Sequence, residues 1–333
     1  MISNLLIAFL GVFAGTTVLG AILLPLLRRS KLSQREREFG PKTHLTKSGT
    51  PTFGGLMFLI PLAALGIGSV FFAPEANLLP LTIYMLGIGA VGFVDDYTKV
   101  KIKKEGLSPR AKSLPLLLIT AFFVMYYLDG GPIDPFIINP FTMTAVQVSG
   151  LGKAVYGFFL LIYLYAVSNS VNLTDGVDGL LSMVTIPVSL ALVATSFVIS
   201  ETPTSRGTGL MSIGLTGALL GFLIYNRHTA KVFMGDTGSL AIGALVGALA
   251  MIQGIPWIML LYGIVYVCES LSVIIQVAYF KRTKGKRIFR MSPIHHHFEL
   301  GGWSEWKVCV VFTLVSLAGC LLGLLTLRGY FLM

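Results

Sequence analysis

The chain has 333 residues, of which 54% are hydrophobic and only 12% are charged, and its net charge is +10. In a soluble globular protein roughly a quarter of all residues are charged, so this composition excludes the soluble classes. A membrane β-barrel would show short segments of alternating hydrophobicity, whereas this sequence contains apolar runs long enough for membrane-spanning helices. We therefore expect an all-α integral membrane protein.

Ten apolar segments are predicted to span the membrane as helices. In chain order they lie near residues 3–27, 53–73, 79–94, 113–128, 153–171, 179–199, 208–225, 237–253, 256–280 and 307–329. The connection at 129–152 contains three prolines and is predicted to form a small hairpin. No internal repeat is visible, and residues 1–333 are expected to form a single polytopic membrane domain.

The lysine and arginine residues are concentrated in alternate loops. Those at 28–52, 95–112, 226–236 and 281–306 hold nearly all of them. By the positive-inside rule these loops, together with the short loop at 172–178, face the cytoplasm, and both termini face the outside. Topology and attraction to anionic membrane lipid account for the positive net charge, so nucleic acid is not an expected partner.

Two adjacent aspartates, Asp95 and Asp96, occur in the stretch VDDYTKVKIKK at the predicted end of the third span. The carboxyl end of a helix disfavours negative charge, so two carboxylates there need a compensating cation. Mg²⁺ typically binds one or two carboxylates together with substrate phosphates. The pair is therefore predicted to bind a metal or to act in catalysis. The alternative is two solvated residues at a helix terminus.

The stretch NSVNLTDGVDGL places Asp175 and Asp178 three residues apart, on one face of a helical turn. Asn172 and Gly176 interrupt the helical pattern. Polar, irregular backbone between membrane spans persists only at water or in a cavity. Side chains of this kind suit the hydroxyl groups and amide edges of a ligand, and the alternative is a tight polar turn.

The stretch KVFMGDTGSL precedes the eighth span. Asp236 or Thr237 is predicted to cap that helix, and a helix start with small residues also attracts phosphate. A carboxylate at this position could hold a metal that bridges to the phosphate. Phe233 is an aromatic residue in a polar loop and could stack on a ring.

Two further stretches fall in cytoplasmic loops. PIHHHFE contains His295, His296 and His297. Adjacent histidines rarely all reach one ion and no cysteine is nearby, so contacts to an anionic substrate are expected rather than a zinc site. In HLTKSGTPTFGG, Lys47 lies between small residues just before a span and is a candidate contact for phosphate or carboxylate.

The five polar stretches lie on the same predicted side of the membrane and together predict one cytoplasmic site. The site would combine ligands for a hard metal, lysines, a helix start suited to phosphate and an aromatic ring. That combination fits a pyrophosphate-containing substrate. Its position at the membrane surface indicates that the second substrate is a lipid.

The chain resembles the phospho-N-acetylmuramoyl-pentapeptide-transferase family (MraY) of the polyprenyl-phosphate N-acetylhexosamine-1-phosphate transferase superfamily. The resemblance rests on TPTFGG, GFVDDYTK, NLTDGVDGL, FMGDTGSL and PIHHHFE, which occur in the family's order. It implies ten transmembrane helices, external termini, a homodimer and a location in the bacterial inner membrane. It also implies Mg²⁺-dependent transfer of phospho-MurNAc-pentapeptide from UDP-MurNAc-pentapeptide to undecaprenyl phosphate. The products would be lipid I and UMP, in the first membrane step of peptidoglycan synthesis.

The resemblance implies roles for individual residues as well. Asp236 would be a Mg²⁺ ligand, with Asp95 and Asp96 beside it as catalytic residues and further ligands. Phe233 would stack on uracil. The other residues that the resemblance assigns to substrate binding are Lys47, Thr52, Lys99, Lys112, Asn172, Asp175, Asp178, Asn226, Gln276, His295, His296 and His297.

Two mechanisms are open at this point. An aspartate could attack first and form a phospho-enzyme, or the lipid phosphate could attack directly. A phosphate monoester is mostly dianionic at pH 7 because its second pKa is near 6, so it needs little help from a base. Direct attack is favoured, with Asp95 positioning or deprotonating the lipid phosphate.

Two other functions are alternatives. A sister transferase would use UDP-GlcNAc or a related sugar, although the histidine triplet argues against it. An ion-coupled transporter would use Glu269 and Gln276 in the ninth span, since ionisable residues inside membrane spans usually serve function. Transporters bind near the membrane midplane, however, and here the carboxylates lie near one surface.

Overall fold

The structure of the protein is a computed structural model, which describes residues 2–30, 49–102, 105–131, 135–199 and 203–328. In these ranges the chain forms twelve α-helices and one two-stranded sheet. The helices are α1 (Ile2–Arg29), α2 (Leu56–Phe72), α3 (Leu79–Lys101), α4 (Pro109–Met125), α5 (Leu151–Thr174), α6 (Leu180–Val198), α7 (Pro203–Asn226), α8 (Gly235–Ile252), α9 (Met259–Tyr262), α10 (Ile264–Arg282), α11 (Ile294–Glu299) and α12 (Glu305–Thr326).

Nine helices in the described ranges are long and apolar enough to cross a membrane, by length and composition. The apolar helix α2 is shorter, with 17 residues. Each of these ten helices overlaps one of the ten predicted spans. The all-α membrane class predicted from the composition is therefore confirmed.

The third predicted span ends later than the sequence suggested. The prediction that Asp95 and Asp96 lie at a helix end is wrong, because α3 continues to Lys101. The nitrogen Nζ of Lys99 pairs with Oδ2 of Asp95, one turn earlier, at 2.7 Å. An ion pair four residues apart stabilises a helix, and so do lysines in its last turn. The polar end of this segment is therefore helical as well.

The ninth predicted span, 256–280, is not one helix. A 3₁₀ turn at Pro256–Ile258 and the short helix α9 precede a break at Gly263, and α10 begins at the next residue. The hairpin predicted at 129–152 is confirmed: β1 (Phe136–Ile138) pairs antiparallel with β2 (Ala145–Gln147).

The centre of the helix bundle is α8, whose residues from Thr237 to Met251 are all buried. It packs mainly against α3 and α5. A Cβ atom at Gly92 of α3 would overlap the carbonyl oxygen of Asp236, so the glycine allows the two backbones to touch. Small residues commonly permit such close approach of membrane helices. The contact places Asp96, one turn after Gly92, at the start of α8.

Candidate functional site

Asp96 caps the start of α8 from the neighbouring helix. Its Oδ1 accepts a hydrogen bond from the backbone N–H of Asp236 at 3.0 Å, and its Oδ2 accepts from the N–H of Thr237 at 2.9 Å and from Thr237 Oγ1 at 2.6 Å. The first N–H groups of a helix have no partner within the helix and favour negative charge. The prediction that Asp236 or Thr237 is the cap is wrong, since the cap belongs to α3.

Four charged side chains next to this cap form what we call the lysine–aspartate cluster: Asp95, Lys99, Lys112 and Asp236. The Nζ of Lys99 lies 2.7 Å from Oδ2 of Asp95 and 2.8 Å from Oδ2 of Asp236. The Nζ of Lys112 contacts the same Asp236 oxygen and lies 3.4 Å from Oδ2 of Asp95. Two ammonium groups therefore lie between two carboxylates that come from α3 and α8.

Neighbouring segments fix the outer oxygens of this cluster. The Nδ2 of Asn172, at the end of α5, donates to Oδ1 of Asp236 at 3.0 Å and to Oγ of Ser239 at 2.8 Å. The backbone N–H of Leu107 donates to Oδ1 of Asp95 at 2.7 Å. Side chains and backbone from α3, α4, α5 and α8 thus meet in one partly exposed place.

The donor set of the cluster fits a Mg²⁺ ion at Asp236 and Asp95. Both residues direct an Oδ2 at the ammonium of Lys99, so the two oxygens converge on one position for a cation. Mg²⁺ prefers hard oxygen ligands and is usually bound by only one or two protein carboxylates. The carboxylate of Asp96 is more fully engaged, because its Oδ2 accepts two hydrogen bonds. The role of all three aspartates as ligands stays a prediction.

Asp175 follows α5 directly and is half-buried beside this centre. Burial, together with the negative charges of Asp236, Asp96 and Asp178, raises the pKa of Asp175 to about 8. Its carboxyl group is therefore mostly protonated near neutral pH, and it can donate a hydrogen bond to a ligand.

Asn226 and Gln276, two of the predicted binding residues, hold loops in place. The Nδ2 of Asn226 donates to the carbonyl of Val232 at 2.9 Å, and its Oδ1 accepts from the N–H of Gly179 at 3.1 Å. The Oε1 of Gln276 accepts from the N–H groups of two successive residues at 288 and 289, at 3.1 and 3.0 Å. Their contacts within the described residues are thus to backbone.

Thr52 and Phe233 lie beside the start of α8. Thr52 is fully buried, and its Oγ1 has no hydrogen-bond partner among the described residues. Phe233 is half-buried, and its backbone N–H donates to the carbonyl of Pro51 at 2.8 Å. These two segments therefore run side by side next to Asp96. Lys47, also a predicted binding residue, lies outside the described residues.

The three adjacent histidines have separate partners. The Nδ1 of His295 lies 3.0 Å from Oε1 of Glu269, and the Nδ1 of His296 lies 2.7 Å from Oε2 of Glu299. The Nδ1 of His297 accepts from the backbone N–H of Arg290 at 3.1 Å. The triplet thus presents three differently oriented rings rather than one common binding point.

Sequence reasoning did not find the partners of several site residues. Ser239, which binds Asn172, carries only the weak signal of a small polar residue in GDTGS. Glu269 was recognised as an unusual acid in a membrane segment, but no pattern indicated His295 as its partner. Asp178 accepts from the N–H of Ala230 at 2.9 Å, a contact between two loops that spacing does not reveal.

Comparison with known proteins relates the chain to transferases. A family model described as Glycosyl transferase family 4 matches residues 78–254. A protein of Acetivibrio thermocellus is 44% identical over 329 residues, which cover 98% of this chain and 96% of that protein. A protein of Shouchella clausii is 45% identical over 316 residues (93% and 94%), and one of Staphylococcus carnosus is 42% identical over 322 residues (94% and 96%). All three carry the name phospho-N-acetylmuramoyl-pentapeptide-transferase.

Proposed function

The chain belongs to glycosyl transferase family 4 and, within it, to the phospho-N-acetylmuramoyl-pentapeptide-transferases, and from this membership we propose the reaction that it catalyses. It transfers phospho-MurNAc-pentapeptide from UDP-MurNAc-pentapeptide to undecaprenyl phosphate and produces lipid I and UMP. This reaction is a membrane step of peptidoglycan synthesis. The observation that carries the proposal is the lysine–aspartate cluster, which gathers two ammonium groups where helices α3, α4 and α8 meet.

The main obstacle to this reaction is the repulsion between two anions. A phosphate oxygen of the lipid attacks the β-phosphorus of the UDP-linked substrate, a new P–O bond forms, and the bond from that phosphorus to the bridging oxygen breaks. The bridging oxygen takes the electron pair and leaves as part of UMP. Lys99 and Lys112 reduce the repulsion, because fixed positive charges near developing negative charge stabilise a transition state.

Aspartates keep these lysines in position. Asp95 and Asp236 each contact both ammonium groups, so the charges are oriented before the substrates arrive. Mg²⁺, held by Asp236 and Asp95 with Asp96 beside them, would neutralise charge on the pyrophosphate oxygens. The lipid phosphate is mostly dianionic at neutral pH, so direct attack needs no general base, and Asp95 serves to position the lysines and the lipid phosphate.

The nucleoside and sugar parts of the substrate bind to the loops around the lysine–aspartate cluster. We place uracil against Phe233 and the polar turn of Asn172, Asp175 and Asp178, with Lys47, Thr52 and Asn226 beside it. The family's pattern and the half-buried position of Phe233 next to the cluster support this placement. Gln276 and the histidines His295, His296 and His297 line the remaining polar side.

The topology is also part of the proposal. Ten helices span the bacterial inner membrane, the chain forms a single domain over residues 1–333, and both termini lie outside. The basic residues at the ends of α1, α3 and α10 support a cytoplasmic site. A homodimer is proposed from the family resemblance.

The test is UMP release by the purified protein with undecaprenyl phosphate. UDP-MurNAc-pentapeptide with Mg²⁺ is expected to support release, and EDTA or Asp236→Asn is expected to abolish it. Lys99→Gln and Lys112→Gln should each lower kcat by about 10²- to 10³-fold. Lys101→Gln is the matched control on α3, because Lys101 is exposed and outside the cluster.

Two outcomes would change the proposal. Release from UDP-GlcNAc alone would keep the chemistry and assign the protein to a sister transferase. No release from either sugar nucleotide, with protein that is folded and with a positive-control transferase active under the same conditions, would overturn the proposed activity.

A further inference from the structure

A second group of metal-ligand side chains lies outside the lysine–aspartate cluster. Asp178 follows α5, His228 lies in the loop after α7, and Glu305 is in the first turn of α12. One ligand atom from each of the three residues lies within 4.8 Å of the other two. Three segments that are far apart in sequence thus converge on one point.

The two separations from His228 are those expected of ligands around one ion, and the two carboxylate oxygens lie within 4.8 Å of each other. The Nδ1 of His228 lies 3.6 Å from Oδ2 of Asp178 and 3.4 Å from Oε2 of Glu305. Ligand atoms bound tetrahedrally to Zn²⁺ at about 2.0–2.2 Å are about 3.4 Å apart. Directly hydrogen-bonded pairs are closer, as the other histidines show: the distances to the carboxylate are 3.0 Å for His295 and 2.7 Å for His296.

The burial of the three side chains also suits a bound cation. Those of Asp178 and Glu305 are only 2% and 7% exposed, whereas that of His228 is 46% exposed. Buried charges in proteins are paired or coordinate metals, and the exposed side leaves room for water as a further ligand. The N–H of Ala230 donates to Oδ2 of Asp178 at 2.9 Å and orients that carboxylate, as outer partners of metal ligands do.

We propose that Asp178, His228 and Glu305 form a binding site for a divalent transition-metal ion of the Zn²⁺ type. The imidazole ligand selects against Mg²⁺, which prefers an all-oxygen environment. The site shares no residue with the lysine–aspartate cluster and does not depend on the proposed transferase activity. A bound ion ties the start of α12 to the loops after α5 and α7. Because Asp178 is also a proposed substrate contact, metal binding itself is the readout.

The test measures Zn²⁺ binding to purified, chelator-treated protein by calorimetry, in excess Mg²⁺ so that hard oxygen sites are filled. Co²⁺ absorption is the second readout, because tetrahedral nitrogen and oxygen ligation produces visible bands. His228→Ala and Glu305→Gln are the test variants. His228→Ala changes a half-exposed side chain and should fold normally. Glu75→Gln is the matched control for the loss of one carboxylate, since Glu75 is exposed in the connection between α2 and α3.

One Zn²⁺ per protomer is expected for the parent protein and for Glu75→Gln. Binding should be at least about ten-fold weaker in both His228→Ala and Glu305→Gln, with loss of the Co²⁺ bands. Equal binding by all four proteins would overturn the proposal, because the metal would then bind elsewhere. Lack of Zn²⁺ binding by the parent protein would also overturn the proposal. The three side chains would then interact only with one another, without a metal ion.

Discussion

The carboxylate of Glu269 on α10 pairs with the ring of His295 on α11, with 3.0 Å between Oε1 and Nδ1 and with both side chains excluded from solvent. A buried carboxylate is costly unless it has a partner and hydrogen bonds. The pair therefore explains how an acid is tolerated in an apolar segment, without an ion-transport role. It also holds the first of the three histidines in one orientation.

Loss of the Glu269 carboxylate should destabilise the protein strongly. In Glu269→Ala the buried ring of His295 loses its partner, and breaking a buried pair costs about 3–5 kcal/mol. The amide oxygen of Glu269→Gln can still accept from Nδ1–H, so this variant should lose less. The midpoint of thermal unfolding in detergent measures the effect, with the exposed Glu75→Gln as control. Equal midpoints for Glu269→Ala and the control would show that the pair adds no stability.

Gly176 should not tolerate a larger residue. A Cβ atom there would overlap Nε2 of His295, and Glu269 keeps the ring from moving away. Gly176→Ala should therefore cost about 1–3 kcal/mol by overpacking and lower the rate of UMP release by displacing the 175–179 turn.

The matched control for this substitution is Gly68→Ala in α2, where the added atom would meet only Phe72, at an ordinary 3.5 Å. In the double variant Gly176→Ala, His295→Ala the overlap is gone, so Gly176→Ala should cost less stability in a His295→Ala background than in the parent. The same cost in both backgrounds would contradict the overlap as its cause.

Asp96 should contribute to stability even when no metal is bound. Asp96→Ala leaves two N–H groups and one hydroxyl at the start of α8 without their acceptor, and each such group costs about 1–3 kcal/mol when buried. Thr237→Val removes only the hydroxyl bond and should lower the unfolding midpoint less. Measurements in EDTA isolate this effect from metal binding. If Asp96 acted only as a Mg²⁺ ligand, Asp96→Ala would leave the midpoint in EDTA unchanged.

The stability contribution of Asp175 should fall with rising pH. Burial and three nearby carboxylates raise the pKa of Asp175 to about 8, whereas an aspartate in an unfolded chain has a pKa of about 3.9. Between these values the unfolded chain releases a proton that the folded protein keeps. The contribution is therefore fully present below about pH 4 and is lost as pH rises through about 8.

An amide cannot ionise, so Asp175→Asn should gain stability relative to the parent as pH rises from about 5 to about 9. The difference in unfolding midpoint between the two proteins, in Mg²⁺-free buffer, measures this gain. Asp129→Asn is the control, because the side chain of Asp129 is 74% exposed. A difference that does not change with pH would contradict the raised pKa.

Much of the architecture followed from local features of the chain. Apolar runs of membrane-spanning length are set by the order of residues, so the class, the positions of ten helices and the hairpin between α4 and α5 were predictable. The polar stretches were also recognisable, because polar residues in so apolar a chain need water or partners. Asp95 and Asp236 were singled out in this way, Lys99 was indicated only by the family resemblance, and the three lie together in the lysine–aspartate cluster.

The sequence by itself therefore determined that this is a helical membrane protein with polar residues grouped in a few connections. Only the tertiary structure decided which side chains meet. Asp95 and Asp96 are neighbours in sequence, yet one faces the two lysines and the other caps α8, because adjacent helical residues point about 100° apart. Glu269 pairs with His295, and His228 lies near Asp178 and Glu305. The residues in each of these contacts are far apart in sequence. Which side chains meet depends on the rotation and axial offset of the packed helices. All the contacts between the helices together set this geometry, so no single stretch of sequence reveals it.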